Sequence, residues 1–360
     1  MVATTLHQRA VPVARGVGVT TVADAALAWP LERKVALLAR PDCYPERPAR
    51  VETVETHMSW VFLTATRAYK LKKPVRHAFL DYSTLAARER YCREEVRVNQ
   101  PLAASVYLGV EALTVDADGR AALGGRGAPI EWLVVMRRLP AACLLDAAIR
   151  AGTATRSAVA AAAERLAEFY RNAAPVALSG EAYRRACRAR IEENRAVLDD
   201  PAHDLPPALV AQVHDWLVDV LEQEAAAFAR RAEEGRIVDG HGDLRPEHVA
   251  LETPPVVIDR LEFDRNLRLL DAVEELSFLA MECARLGAPW VCAILFDAYA
   301  RATGDVAPEA VVRFYAVHRA CVRARLAALH TVDLPPPTWS KWRARAREYL
   351  ELARAHVSGA

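Results

Sequence analysis

The chain has 360 residues, 52% hydrophobic and 26% charged, with 47 lysines and arginines against 46 aspartates and glutamates and a formal net charge of +1. That length accommodates two cores, the composition is that of a soluble globular protein, and the charge balance supplies no global field to favour nucleic acid or an anionic membrane. Seven scattered cysteines with no CxxC pair argue against a zinc site or a disulfide framework. No apolar run approaches the ~20 residues of a membrane span, and no secretory signal follows Met1, so the expected compartment is the cytoplasm.

Residues 1 to 20 lack a clear period and read as flexible. A helix is predicted from Thr21 to Leu38, interrupted at Pro30. The three prolines of residues 41 to 50 mark a linker, so residues 1 to 50 form an extension. Three strands follow: Val51 to Thr56, Trp60 to Thr64 and Arg67 to Lys72, the last two joined tightly at Ala65-Thr66. Alternation from Tyr69 onward puts Lys70 and Lys72 on one face of the third strand. The turn Glu55 to Ser59 contains no glycine, leaving the hydroxyls of Thr56 and Ser59 as its polar groups. After a loop over residues 74 to 84, Ser83 or Thr84 caps a helix that carries Glu94 and Glu95; taken alone, each is an ordinary solvated helix charge.

Tyr107 to Val115 and Glu131 to Met136 are the next strands, separated by a glycine-containing turn region from Asp116 to Gly127. From Cys143 the pattern is mostly helical, with helices over Ser157 to Asn172, Gly180 to Leu198 and Pro207 to Glu234. The arginine-rich run at 184 to 195 reads as a solvated face balanced by Glu192 and Glu193. About five strands and a helix, followed by a helical second half, imply the α+β class.

The stretch around which the rest is organised is Ile237 to Phe263, read as strand, polar turn, short strand, turn and strand. It sets Asp243 and Asp259 at the mouths of a hairpin, each beside an apolar run that anchors it. Phosphoryl transfer uses such a pair: one carboxylate to orient a hydroxyl and take its proton, another to hold Mg²⁺ against nucleotide phosphates.

His241-Gly242-Asp243-Leu244, His248 four residues on, and Ile258-Asp259 resemble the signature of the aminoglycoside phosphotransferase family, relatives of the protein kinases, whose loop reads H-R-D-L-x-x-x-N with a later metal-binding Asp. The runs KLKKPVRHAFLDYSTL and CREEVRVNQPLAASVYLGV resemble a bacterial subgroup of that family, some members of which carry an additional P-loop domain. No GxxxxGK[ST] occurs here, so the chain is expected to be the kinase-like part only.

The resemblance implies a two-lobed fold, with a small nucleotide-binding lobe at residues 51 to 138 and a large catalytic and substrate lobe at 139 to 360. It implies ATP and Mg²⁺, with Asp243 as catalytic base, Asp259 as metal ligand and Arg245 near the transferred phosphate. Lys70, with Lys72 as the alternative, takes the α- and β-phosphates, and Glu95, with Glu94 as the alternative, orients that lysine. Met136 and Arg138 fall at the hinge that meets adenine. His248 stands where the family has Asn; since Mg²⁺ prefers oxygen ligands, the imidazole is assigned to a phosphate oxygen, a water or a softer metal. Glu262 and Asp264 lie near the metal, and Asp271 and Glu275 are expected to brace the catalytic loop through backbone N–H groups and arginines.

The implied activity is transfer of the γ-phosphate of ATP to a hydroxyl of a small molecule. The alternatives are an ATP-binding pseudokinase or regulatory module without turnover, which the glycine-free turn and His248 favour, and transfer of the nucleotide itself to a protein. No nucleic-acid or membrane partner is expected, and the oligomeric state is open.

Overall fold

A computed structural model describes residues 29–77, 80–333 and 336–358. The flexible segment expected at residues 1 to 20 and the first part of the helix expected from Thr21 lie outside the described residues. The described helix, α1 (Leu31–Leu38), starts directly after Pro30, which serves as its N-cap.

Six strands form one antiparallel sheet in the order β1-β2-β3-β8-β6-β7. They are β1 (Glu52–Glu55), β2 (Ser59–Leu63), β3 (Arg67–Lys72), β6 (Tyr107–Val115), β7 (Ala121–Leu123) and β8 (Ala128–Arg137). A two-stranded ribbon, β4 (Arg76–His77) and β5 (Leu80–Asp81), occupies the segment expected to be loop, and β7 lies inside the expected turn region. Helix α2 (Leu85–Ala103) is capped by Thr84, whose Oγ1 accepts from the Ala87 N–H at 3.1 Å.

The period of two in β3 sorts its side chains as expected. Tyr69 and Leu71 enter an apolar cluster with Trp29, Leu38, Tyr44, Phe62 and Leu133, while Lys70 and Lys72 face the other way, toward α2. The segment expected to be a linker is therefore part of this core. Tyr44 is buried with its ring 4.8 Å from that of Tyr69, and Glu46 accepts from the Tyr69 hydroxyl at 3.0 Å.

The second half holds α3 (Leu145–Arg150), α4 (Arg156–Asn172), α5 (Gly180–Leu198), α6 (Pro207–Gln223) and α7 (Ala225–Glu233). The single helix expected from Pro207 to Glu234 is thus two, broken at Glu224. From the second of them Arg231 reaches the buried carboxylates of Asp271 and Asp305, each at 2.8 Å. Two short antiparallel pairs follow: β9 (Ile237–Asp239) with β12 (Leu269–Asp271), and β10 (Val249–Ala250) with β11 (Val256–Val257). The strand-turn-strand reading of Ile237 to Phe263 therefore holds. Helix α8 (Ala272–Arg285) starts on the Asp271 cap and is buried on every side from Ala272 to Cys283; such a helix runs through the centre of a lobe. Around it pack α9 (Val291–Thr303), α10 (Glu309–Asp333) and α11 (Trp339–Ser358).

Candidate functional site

A cleft of about 1790 Å³ runs between the sheet and the helices, lined by Lys70, Glu95, Met136, Asp243, His248 and Asp259 among others. Its sheet side is an ion-pair network. Lys70 Nζ lies 2.9 Å from Glu95 Oε1 and 2.9 Å from Asp259 Oδ1. Lys72 Nζ lies 2.5 Å from Glu95 Oε2 and 2.5 Å from Glu262 Oε1, which also accepts from the Tyr82 hydroxyl. Glu95 is fully buried and shared by both lysines, whereas Glu94 binds Arg97 on the outer face of α2. Burial alone would push both lysines down; the facing carboxylates, Asp259 foremost for Lys70 and Glu262 for Lys72, hold each ammonium well above its ordinary value. The two differ in access, since Lys70 lines the cleft and Lys72 is 1% exposed behind it.

The loop carrying Asp243 is held from beneath. Glu275 accepts from the His241 N–H at 2.7 Å and the Gly242 N–H at 2.5 Å, and Tyr170 donates to the same carboxylate at 2.8 Å. Its partner in the expected bracing, Asp271, instead holds Arg231 and Tyr315 and caps α8. Gly242 has φ +93°, a conformation that strains any residue but glycine, and a Cβ there would stand 2.8 Å from Leu261 Cδ1, which would have to move. His241 is fully buried, its Nε2 donating to the Ile258 carbonyl at 2.8 Å and its Nδ1 accepting from the Asp243 N–H at 3.3 Å. Burial, with His248 nearby, lowers this imidazole to about 3, so it is neutral.

Asp259 itself sits in the left-handed region at φ +64°, a conformation that Asp tolerates better than most residues. Its N–H donates to the Tyr107 hydroxyl at 3.0 Å, and the next N–H, of Arg260, donates to Asn99 Oδ1 at 2.9 Å. The half-exposed Asp259 carboxylate is held far below the carboxylate range, chiefly by Lys70. Asp243 and Asp259 are linked by two side chains: Arg245 lies 2.9 Å from Asp243 and 3.2 Å from His248 Nε2, which lies 3.6 Å from Asp259 Oδ2. His248 Nδ1 faces the Asp243 carbonyl at 2.8 Å, to which it donates. Burial works against the Asp243 carboxylate, but Arg245, His248 and Arg323 outweigh it and bring the group down to about 2.

Met136 lines the cleft, paired in register with Ala68 of β3 and Tyr107 of β6. Arg138 lines it too, but its guanidinium is tied to the Thr64 carbonyl at 2.7 Å and to Glu52 at 3.0 Å. The Thr56 hydroxyl closes its own turn, accepting from the Ser59 N–H at 3.0 Å. From that turn His57 reaches across the cleft, its ring 5.4 Å from that of His330 on α10. The run at 184 to 195 is only partly a solvated face: Arg190 turns inward to Glu274 at 3.2 Å and lines the cleft. Asp264 caps a turn by accepting from the Asn266 N–H. Sequence reasoning missed Asn99, Tyr107 and Arg319, which donates to the Gly242 carbonyl at 3.2 Å. All three act across long sequence separations that no local spacing encodes.

Among the described residues no group of three or more His, Cys, Asp and Glu is placed to hold a metal ion. The donor chemistry fits a magnesium ion shared with a nucleotide, for which one or two carboxylates suffice and phosphate and water oxygens complete the shell. Asp259 supplies such a carboxylate, open to the cleft.

No family model matches the chain. Uncharacterised proteins of Mycobacterium tuberculosis and Mycobacterium bovis are 34% identical to it over 315 residues, 86% of this chain and 60% of theirs. The chain thus spans about three-fifths of the length of the curated relatives it matches. Among solved structures, the GDP complex of aminoglycoside 2'-phosphotransferase-IIIa superposes with a TM-score of 0.51 at 16% identity, covering 87% of this chain and 93% of that one. Choline kinase from Cryptosporidium parvum superposes with a TM-score of 0.50 at 10% identity, covering 91% and 96%. Among the described residues no helix is long and apolar enough to cross a membrane. The chain therefore carries the two-lobed, protein-kinase-like α+β fold that aminoglycoside phosphotransferases share with choline kinases.

Proposed function

We propose that the protein is an ATP-dependent phosphotransferase that moves the γ-phosphate to a hydroxyl of a small molecule. The observation that carries this reading is the meeting of Lys70, Glu95 and Asp259 at 2.9 Å distances on one wall of the cleft that Asp243 also lines. Glu95 fixes Lys70, which binds the α- and β-phosphates. Asp259 is the side chain that would hold Mg²⁺, and the ion would neutralise phosphate charge when bound. Asp243, fixed in direction by Arg245, orients the acceptor hydroxyl and takes its proton as the new bond forms; at a pKa near 2 its contribution is mainly orientation. The Arg137 and Arg138 N–H groups bond the Val106 and Thr66 carbonyls, and the apolar side chains of Met136 and Leu139 on the cleft wall would pack against adenine.

Two measurements on the intact protein test this: titration calorimetry with Mg-ATP, and phosphate transfer by Asp243→Asn. The variant is expected to bind Mg-ATP like the parent and to lose roughly 10²–10⁴-fold in turnover; absent nucleotide binding, or a fully active variant, defeats the reading. The second reading, a nucleotide-binding module without turnover, is favoured by the glycine-free turn whose Thr56 hydroxyl is already engaged. Binding without transfer to any acceptor selects it.

A further inference from the structure

The cleft exceeds the roughly 300–1,000 Å³ of an ordinary small-molecule pocket, at about 1790 Å³. It therefore has room for a second ligand beside a nucleotide. The far end, walled by α5, α8, α10 and α11, is strongly cationic. Six basic side chains line it, Arg190, Arg319, Arg323, Arg325, Lys341 and Arg345, against the three glutamates Glu193, Glu274 and Glu348.

Those glutamates are already shared out. Glu274 takes Arg190 at 3.2 Å and Arg319 at 2.8 Å, Glu193 takes Arg325, and Glu348 takes Arg345 at 3.0 Å. Two cations are the least closely matched. Arg323 has its nearest carboxylate, Glu282, 3.9 Å away, and that group is also held by Arg285 and by Tyr349. Lys341 stands over the Trp342 ring at 5.3 Å and has no carboxylate partner among the described residues. A second, independent observation marks the same place. Asn194 on α5 lines the cleft, is 1% exposed, and has neither side-chain Nδ2 nor Oδ1 hydrogen-bonded. A buried amide with both ends idle calls for a polar ligand group.

The cationic end also adjoins the reacting hydroxyl's place in the proposed mechanism. Arg319 bonds the Gly242 carbonyl, and Arg323 is near enough to lower the Asp243 carboxylate. We infer that the acceptor is an anionic molecule, bearing a phosphate or carboxylate besides its hydroxyl. Arg323 and Lys341 would hold the anionic group and Asn194 a neighbouring polar atom. A neutral or cationic acceptor would leave the surplus charge uncompensated, or add to it.

This inference rests on the phosphotransferase reading, and its test separates the two. Transfer from Mg-ATP is measured to matched three-carbon acceptors: glycerol, glycerate, glycerol 3-phosphate and the cationic 2-amino-1,3-propanediol. Independently of turnover, binding of inorganic phosphate and of glycerol 3-phosphate is titrated by calorimetry with the nucleotide site saturated by ADP. Both experiments are repeated on Lys341→Glu/Arg345→Glu, whose positions lie on the outer or half-exposed surface of α11. The milder Lys341→Gln serves if the double variant does not fold.

The anionic acceptors are expected to exceed the other two by about tenfold or more in kcat/KM, and charge reversal to remove that preference through KM. The anions should bind in the calorimeter and lose about tenfold in affinity in the reversed variant, with ADP affinity unchanged. Preference for the neutral or cationic acceptor, or anion binding that is absent or insensitive to reversal, overturns the inference. Where no acceptor is phosphorylated, the phosphotransferase reading fails, and the calorimetry still decides the charge of the ligand.

Discussion

Two lysines two residues apart differ in what surrounds them, and their variants should part accordingly. Lys72 is buried between Glu95 and Glu262, so Lys72→Met leaves the buried Glu262 with only the Tyr82 hydroxyl against it and takes from Glu95 one of its two lysines. A loss of about 3–5 kcal/mol is expected, read as a lowered urea midpoint. Lys70 lines the cleft, and the Asp259 it would leave is half-exposed to solvent. Lys70→Met should therefore cost less stability while abolishing Mg-ATP binding in calorimetry; equal destabilisation by both would refute the division. Alternation along β3 made it legible that the two lysines share a face, and the family resemblance favoured Lys70 and Glu95. That Glu95 serves both lysines at once, and that Lys72 also meets Glu262 190 residues away in the chain, was not legible, because no local spacing encodes contacts between a strand and distant elements.

At the scale of elements, the loop bearing Asp243 is shaped by a helix rather than by its own residues. Glu275 at the start of α8 fixes the His241 and Gly242 N–H groups. Glu275→Ala should leave both unpaired and cost about 1–3 kcal/mol for each, with a fall in transfer rate larger than the fall in Mg-ATP affinity. Gly242→Ala should destabilise by about 1–3 kcal/mol through its φ of +93° and the contact with Leu261. Both effects are read from denaturant melts and steady-state rates, and wild-type behaviour in either variant would remove the bracing argument. Most strands and helices were legible from periodicity, down to the bounds of β3 and α5. The break at Glu224 was not, since neither proline nor glycine marks it. The residues 41 to 50 were misread because proline-rich composition carries no sign that Tyr44 has a buried partner in Tyr69.

For the whole molecule, the buried neutral His241 sets an acid limit. Its folded value near 3 lies below the ordinary 6.5, so the unfolded chain binds the proton more readily. Stability is then full above about pH 6.5 and falls as pH drops toward 3, by about 1.4 kcal/mol per unit withheld. Asp243, lowered to about 2 from 3.8, adds a further loss below pH 3.8. Thermal midpoints should decline steadily from pH 7 to 4.5, and His241→Gln should flatten that decline; a flat profile in the parent protein would contradict it.

The Lys70–Asp259 contact has a consequence for how ligands enter. Each of these groups already satisfies the other at 2.9 Å. In the proposed mechanism nucleotide and divalent cation each claim one member of that pair, so whichever arrives first leaves a lone charge that the second relieves. The two should therefore bind with positive thermodynamic coupling, each raising the other's affinity by the same factor, and Lys70→Met or Asp259→Asn should abolish that mutual dependence together with the affinity.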